Sequence, residues 1–198
     1  MRILVVCATG TIGRAVVAAF MGSNDIVPVS RRSTPITVEL SDPPSIRAMY
    51  RTVGHVDAVV SAAGQARFAP LLELSDADFR VSVSNELMGQ INLVRFEFDY
   101  VAEGGSFTLT SGILARSPMH GSAAISLVNA GVEAFIKAAS LEAPRRIRVN
   151  VVSPPWVTET LRLLGMDTAQ GLPAASVARA YMQSVIGTAT GVVLEPSA

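Results

Sequence analysis

The residues best suited to chemistry fall just after short apolar runs. Ile3 to Val6 leads into Cys7-Ala8-Thr9-Gly10-Thr11-Ile12-Gly13, and then into an Ala- and Val-rich stretch ending near Phe20. Small residues in such a turn let the backbone approach a pyrophosphate, while the start of the following helix offers free N–H groups to it. Gly10, Thr11 and Ile12 are therefore candidate phosphate-cradling positions, against the plainer reading of a tight strand-to-helix turn. The second apolar run ends about twenty residues later at Ser30-Arg31-Arg32-Ser33. An acidic residue there would bind a ribose hydroxyl, whereas Arg31 and Arg32 suit the extra phosphate of NADP(H). Ser111 follows a later run and offers a hydroxyl to a carbonyl, although a lone Ser-Gly also suits a simple turn. His120 sits in a loop, with an imidazole that can titrate near neutrality or merely face solvent. Ser122 is a candidate water relay, and Arg67 a candidate anion contact or a solvated charge.

These positions need strands to carry them. Apolar runs over Ile3–Val6, Ile26–Val29, Ile36–Leu40, Ala58–Val60, Ser106–Leu109, Ile147–Val152 and Val192–Leu194 read as buried parallel strands. Between most of them lie helical patterns, near Ile12–Phe20, Pro43–Val53, Ser75–Tyr100, Ser122–Glu142 and Ala174–Ile186. Ser75 followed by Asp78 is an N-capping signal, and Pro43 suits a first helical turn after Asp42. The alternation predicts an α/β fold: a doubly wound, Rossmann-like parallel sheet of about seven strands with helices on both faces, formed by residues 1–198 as one domain. In such sheets a ligand lies beyond the carboxyl ends of the strands, where strand order reverses.

Composition narrows the field. With 49% hydrophobic and 16% charged residues over 198 positions, the chain has ample apolar surface to bury and is not disordered. Sixteen basic against sixteen acidic side chains argue against nucleic acid as a partner. One cysteine excludes an internal disulfide, and with two histidines no metal site is expected. No run approaches ~18 uninterrupted apolar residues, so neither a membrane span nor a membrane partner is expected. The start lacks a signal-peptide pattern, and a cytoplasmic location is expected.

Nearly the whole chain resembles the short-chain dehydrogenase/reductase family. The glycine turn is similar to that family's cofactor loop, with Cys7 where a first glycine is usual. Ser61-Ala62-Ala63-Gly64 resembles its Asn-Asn-Ala-Gly segment bordering the cofactor. Glu39 and Leu40 fall where members contact the adenine. Asn85, followed by Gly89, matches the active-site asparagine, and Ser111 the catalytic serine. The run Ile147-Arg148-Val149-Asn150-Val151-Val152-Ser153-Pro154 is a close match to the sixth strand. The Val157 backbone with Thr158 or Thr160 stands where the nicotinamide carboxamide is bound.

The departure lies in the fourth helix. Anchored on Ala130-Gly131-Val132-Glu133-Ala134-Phe135, Ile125 takes the place of the family's tyrosine acid and Asn129 that of its lysine. Isoleucine has no proton to give, and a neutral amide can hold a ribose but cannot acidify a phenol. Pro155 also replaces a glycine, and the segment 160–172 is short for a substrate lid, which implies an open site. The resemblance thus implies an atypical NADP(H)-dependent oxidoreductase acting on a small carbonyl or alcohol substrate. Ser111 and Asn85 would orient that substrate, and water or His120 would supply the proton. The alternatives are a catalytically inactive NADP(H)-binding sensor or structural protein, or a non-redox enzyme on the same scaffold. Family members pair their third and fourth helices across a two-fold axis, which implies a homodimer or homotetramer.

Overall fold

The computed structural model describes residues 1–64 and 66–197. Seven parallel strands, β1 (Arg2–Val6), β2 (Asp25–Ser30), β3 (Ile36–Thr37), β4 (Val56–Ser61), β5 (Val101–Thr110), β6 (Arg148–Val152) and β7 (Val193–Leu194), form one sheet in the order β3-β2-β1-β4-β5-β6-β7. Strand order reverses between β1 and β4, so the turns after Val6 and Ser61 face one crevice. The helices are α1 (Thr11–Phe20), α2 (Pro43–Val53), α3 (Asp76–Ser82), α4 (Met88–Arg95), α5 (Ala123–Glu142), α6 (Thr158–Leu163) and α7 (Ala174–Ile186).

Alternation along the strands splits the core in two. Ile3, Val5, Ala58 and Val60 pack beneath Val16 and Phe20 of α1 and Val177 and Tyr181 of α7. Leu4, Val6, Val59, Phe107 and Leu109 point the other way, toward Ile46 and Tyr50 of α2, Leu93 of α4, and Val132 and Ile136 of α5. Among the described residues only α5 is long and apolar enough to cross a membrane. Here its Ala124, Val128, Val132 and Ile136 stripe is fully buried inside the fold.

Three elements differ from the sequence expectation, each for a local reason. The expected β3 stops at Thr37, although Val38 still donates its N–H to the Ser30 carbonyl at 3.1 Å. The fifth strand starts at Val101 rather than Ser106, because Gly104 and Gly105 form an irregularity inside it rather than a turn before it. A Cβ on Gly105 would lie 2.5 Å from the Asp57 carbonyl oxygen, so only glycine lets these strands meet. The long third helix begins as expected, with Ser75 and Asp78 closing a reciprocal cap. It then widens into a π turn over Val83–Leu87 and ends at Arg95, not Tyr100. The Phe98 and Val101 carbonyls accept from the Arg145 guanidinium, which holds the chain after the helix end.

Candidate functional site

The crevice begins at the turn after β1. Cys7 adopts the left-handed conformation with φ of 60°, and its carbonyl accepts from the Gly10 N–H at 3.1 Å. A Cβ on Gly13 would lie 2.0 Å from that same carbonyl oxygen, so glycine is required for the turn to pack on α1. Gly10 caps α1 without any side-chain hydrogen bond, and Thr11 and Ile12 form its first turn, half-buried. The N–H groups of that turn remain for an anion. Burial, reinforced by the Glu39 charge and opposed by Arg31, pushes the Cys7 thiol up to about 11, so it stays protonated.

A cavity of about 170 Å³ opens beside this turn, walled by Cys7, Arg31, Glu39, Leu40, Gly64 and Asn85, with Val38 and Ala63 completing it. Arg31 is exposed at its rim, whereas Arg32, also exposed, does not line it. Glu39 is held in place, its Oε1 accepting from the Ser41 N–H at 3.1 Å and the Ser41 hydroxyl at 2.8 Å. Asn85 Nδ2 approaches the same oxygen at 3.5 Å. The expected adenine-edge residues Glu39 and Leu40 are therefore brought together with Ala63, Gly64 and Arg31. Ala62 lies behind them and donates its N–H to Val6 at 3.0 Å.

Asn85, expected beside the substrate, instead lines this edge from within the π turn over Val83–Leu87. The extra residue in that turn rotates Glu86 against the Gly64 backbone, where its Oε1 lies 3.4 Å from the position of a Gly64 Cβ. Burial alone raises the Glu86 carboxyl to about 7, and its residue is only 7% exposed. No sequence pattern pointed to Glu86.

A second cavity of about 190 Å³ lies where a reacting group would sit, between β5, α5 and the segment after β6. Its walls include Gly112, Ile125, Asn129, Trp156, Val157 and Thr160. Ile125 and Asn129 thus share one wall, as the sequence alignment implies. Asn129 is 4% exposed, and its Oδ1 has no hydrogen-bond partner among the described residues. A buried acceptor of this kind fits a ligand hydroxyl. Val157 reaches the cavity while bridging to Leu172. Thr158 does not line it; its N–H donates to the Leu172 carbonyl at 3.0 Å, and Thr160 takes the place at the wall.

The expected catalytic hydroxyl is not there. Ser111 directly follows β5 with its side chain turned behind the cavity, where Oγ donates to Glu133 Oε1 at 2.8 Å. Arg116 donates to the other Glu133 oxygen at 2.7 Å, to Ser153 Oγ at 3.1 Å, and pairs with Glu195 at 3.1 Å. Gly112, the next residue, faces the cavity instead, 3.0 Å from Asn129 Nδ2 measured at an ideal Cβ. His120 is also placed elsewhere: it is exposed and lines a separate groove with Leu71, Leu72 and Met119. Ser122 is 1% exposed and occupied, bonding Met119 and Ser126. Arg67 pairs with Asp78 at 3.0 Å. The buried Tyr50 and Tyr181 do not line this cavity, and burial raises both phenols above their ordinary value.

The residues fit a dinucleotide. A glycine turn on a helix start, an arginine beside the second strand, a cradle closed by Gly64 and an orphaned Asn129 oxygen lie along one crevice. No cluster of His, Cys, Asp and Glu able to hold a metal occurs among the described residues.

Comparison with known proteins bears on the family and the fold. A family model described as enoyl-(acyl carrier protein) reductase matches residues 14–192. The chain is similar to the protein lin1944 from Listeria innocua, with 41% identity, a TM-score of 0.94 and 98% of each chain covered. It is also similar to a crystal structure of a small-chain dehydrogenase in complex with NADPH, with 22% identity, a TM-score of 0.87, and 98% of this chain and 95% of that one covered. A curated relative is hydroxynaphthalene reductase arp2 of Aspergillus fumigatus, 28% identical over 134 residues, which is 65% of this chain and 49% of that protein. The chain spans about half the length of the first curated relatives it matches.

Proposed function

This chain belongs to the short-chain dehydrogenase/reductase family, a family of oxidoreductases, and we propose that it is an NADP(H)-dependent member that transfers hydride to a small conjugated carbonyl compound. The observation that carries the coenzyme assignment is Arg31 on the rim of the cavity formed by Cys7, Glu39, Leu40 and Gly64. A guanidinium there matches a ribose phosphate through charge-assisted hydrogen bonds. The solved neighbour in complex with NADPH has the same fold and supports the same choice.

Bound in the crevice, NADPH supplies a hydride. The first turn of α1 would hold the pyrophosphate, and Arg31 the additional phosphate. Asn129 Oδ1 would accept from a ribose hydroxyl, and the Val157 backbone would orient the carboxamide. Ile125, Trp156 and Gly112 give the reacting region an apolar wall without an acid. Such a wall suits a substrate whose reduced anion is already stabilised, a quinone above all, because that product draws its proton from water without help. A relative named for a hydroxynaphthalene points to the same flat ring shape. Reduction of the carbonyl compound would balance with one hydride from the bound coenzyme and one proton from solvent.

Loss of NADPH absorbance with purified protein tests this proposal, with menadione as the quinone and cyclohexanone as the simple ketone. Turnover on menadione and far slower turnover on cyclohexanone support it. Tight NADPH binding with no turnover on either supports the second reading, an NADP(H)-binding sensor, which the Ser111–Glu133 contact favours. Association into homodimers or homotetramers belongs to the same proposal and rests on exposed Leu127 and Leu141 on the outer face of α5. Light scattering that finds only the 20.8 kDa species contradicts it.

A further inference from the structure

We propose that Trp156, backed by Phe68, selects the substrate of the reacting cavity, taking a fused bicyclic quinone on its indole face in preference to a single-ring one. This rests on the reading of the chain as a quinone reductase and adds to it the part of the ring that is recognised.

Two strand ends supply the pair. Phe68 lies in the segment after β4 and Trp156 in the segment after β6. Their ring centroids are 6.4 Å apart at an interplanar angle of 75°. Backbone contacts hold both. Beside Phe68, the Ala69 N–H donates to the Gly121 carbonyl at 3.0 Å. A Cβ on Gly121, whose φ is 84°, would lie 3.2 Å from the Phe68 ring, so glycine at that position gives the ring its seat. Trp156 follows Pro154 and Pro155, which fix their own φ angles, and its carbonyl accepts from the Leu172 N–H at 2.8 Å.

Edge-to-face packing leaves each ring with at least one face that its partner does not cover. The indole forms part of the cavity wall, together with Ile113, Leu114, Ile125 and Val157. With Asn129 turned to the coenzyme ribose, the Thr160 hydroxyl and the indole N–H are the polar side-chain groups left on that wall among the described residues. A substrate therefore gains its affinity from apolar contact, and a flat ring makes most of it against an indole. Phe68, at 48% exposure, leaves further aromatic surface open beside the indole. A second fused ring covers more of this surface than a single ring does, and that difference is the source of selection.

Trp156 is the chain's single tryptophan, so tryptophan emission reports on this position alone. The test titrates that emission with menadione and with duroquinone, a single-ring quinone, with and without NADP⁺, which has no hydride to transfer. Saturable quenching is expected, with menadione about tenfold tighter than duroquinone. Phe68→Ala is expected to weaken menadione by about threefold or more and to leave duroquinone within about twofold. In turnover with NADPH, Trp156→Leu is expected to raise KM for menadione by about tenfold with kcat little changed, and Trp156→Phe to recover part of the loss. The proposal is overturned if menadione quenching fails to saturate both with and without NADP⁺, if the two quinones bind equally, or if Phe68→Ala discriminates between them as the parent does. Selective, saturable binding without turnover supports the proposal and contradicts only the reductase reading; turnover with equal affinities does the reverse.

Discussion

The Ser111 hydroxyl donates to Glu133 Oε1 at 2.8 Å, behind the cavity that Gly112 faces. The hydroxyl is therefore part of the scaffold. It joins the end of β5 to α5, and through Arg116 to Ser153 and to Glu195 in the tail. This arrangement fixes the Gly112 backbone and leaves the cavity wall without a polar side chain at that point.

Ser111→Ala is therefore expected to act on stability. Loss of a buried hydrogen bond to a carboxylate costs about 1.5–3 kcal/mol, read as a lower denaturation midpoint with an unchanged denaturant slope. The dissociation constant for NADPH should stay within about twofold, as binding energy is not touched. A large loss of NADPH affinity with unchanged stability contradicts the scaffold role.

The position of this hydroxyl shows where sequence reading reaches its limit. Side chains alternate across a strand, so a shift of one residue moves a group to the opposite face. A Ser-Gly pair at a strand end gives no sign of which member faces the ligand. The π turn has the same effect in a helix: nothing in the pattern around Asn85 marks the extra residue that brings Glu86 to Gly64. Longer features were legible. The glycine turn, the arginine after β2, and the Ile125 and Asn129 positions on one face of a long helix follow from strand-helix alternation and an anchored run; in the fold the turn leads into α1, Arg31 lines the first cavity, and Ile125 and Asn129 share a wall of the second.

Glu86 makes stability depend on pH. The folded chain holds that proton up to about 7, whereas an unfolded chain releases it near the ordinary carboxyl value. Stability from this group is therefore complete in acid, falls as pH climbs through the interval up to about 7, and is flat above. Glu86→Gln is expected to raise stability at about pH 8 by up to ~3 kcal/mol and to change little at about pH 4. Thermal melts of both proteins across that range check this; a parallel pair of curves contradicts it.

Installing the missing acid should accelerate ordinary ketones. With proton delivery limiting, Ile125→Tyr combined with Asn129→Lys is expected to raise kcat on cyclohexanone by about 10²–10⁴, the usual contribution of general acid catalysis. Menadione turnover should rise far less. Equal acceleration of both substrates contradicts the view that the quinone needs no enzymic acid.

Glu133→Ala tests the buried network from its centre. Arg116 is then left with the Ser153 hydroxyl and with Glu195, which is 67% exposed and weakly attractive across solvent. The variant is expected to lose more stability than Ser111→Ala, and Glu133→Gln to recover part of it through the retained hydrogen bonds. Urea titrations of the three variants rank them; an order with Ser111→Ala as the most damaging contradicts the assignment.

Calorimetric titration of NADPH and NADH, into the parent protein and Arg31→Ala, tests the coenzyme assignment most directly. The account expects NADPH to bind at least ~10-fold more tightly than NADH, and Arg31→Ala to erase that preference by weakening NADPH alone, as loss of a charge-assisted contact would. Equal affinity for the two coenzymes in the parent protein, or binding of neither, contradicts it.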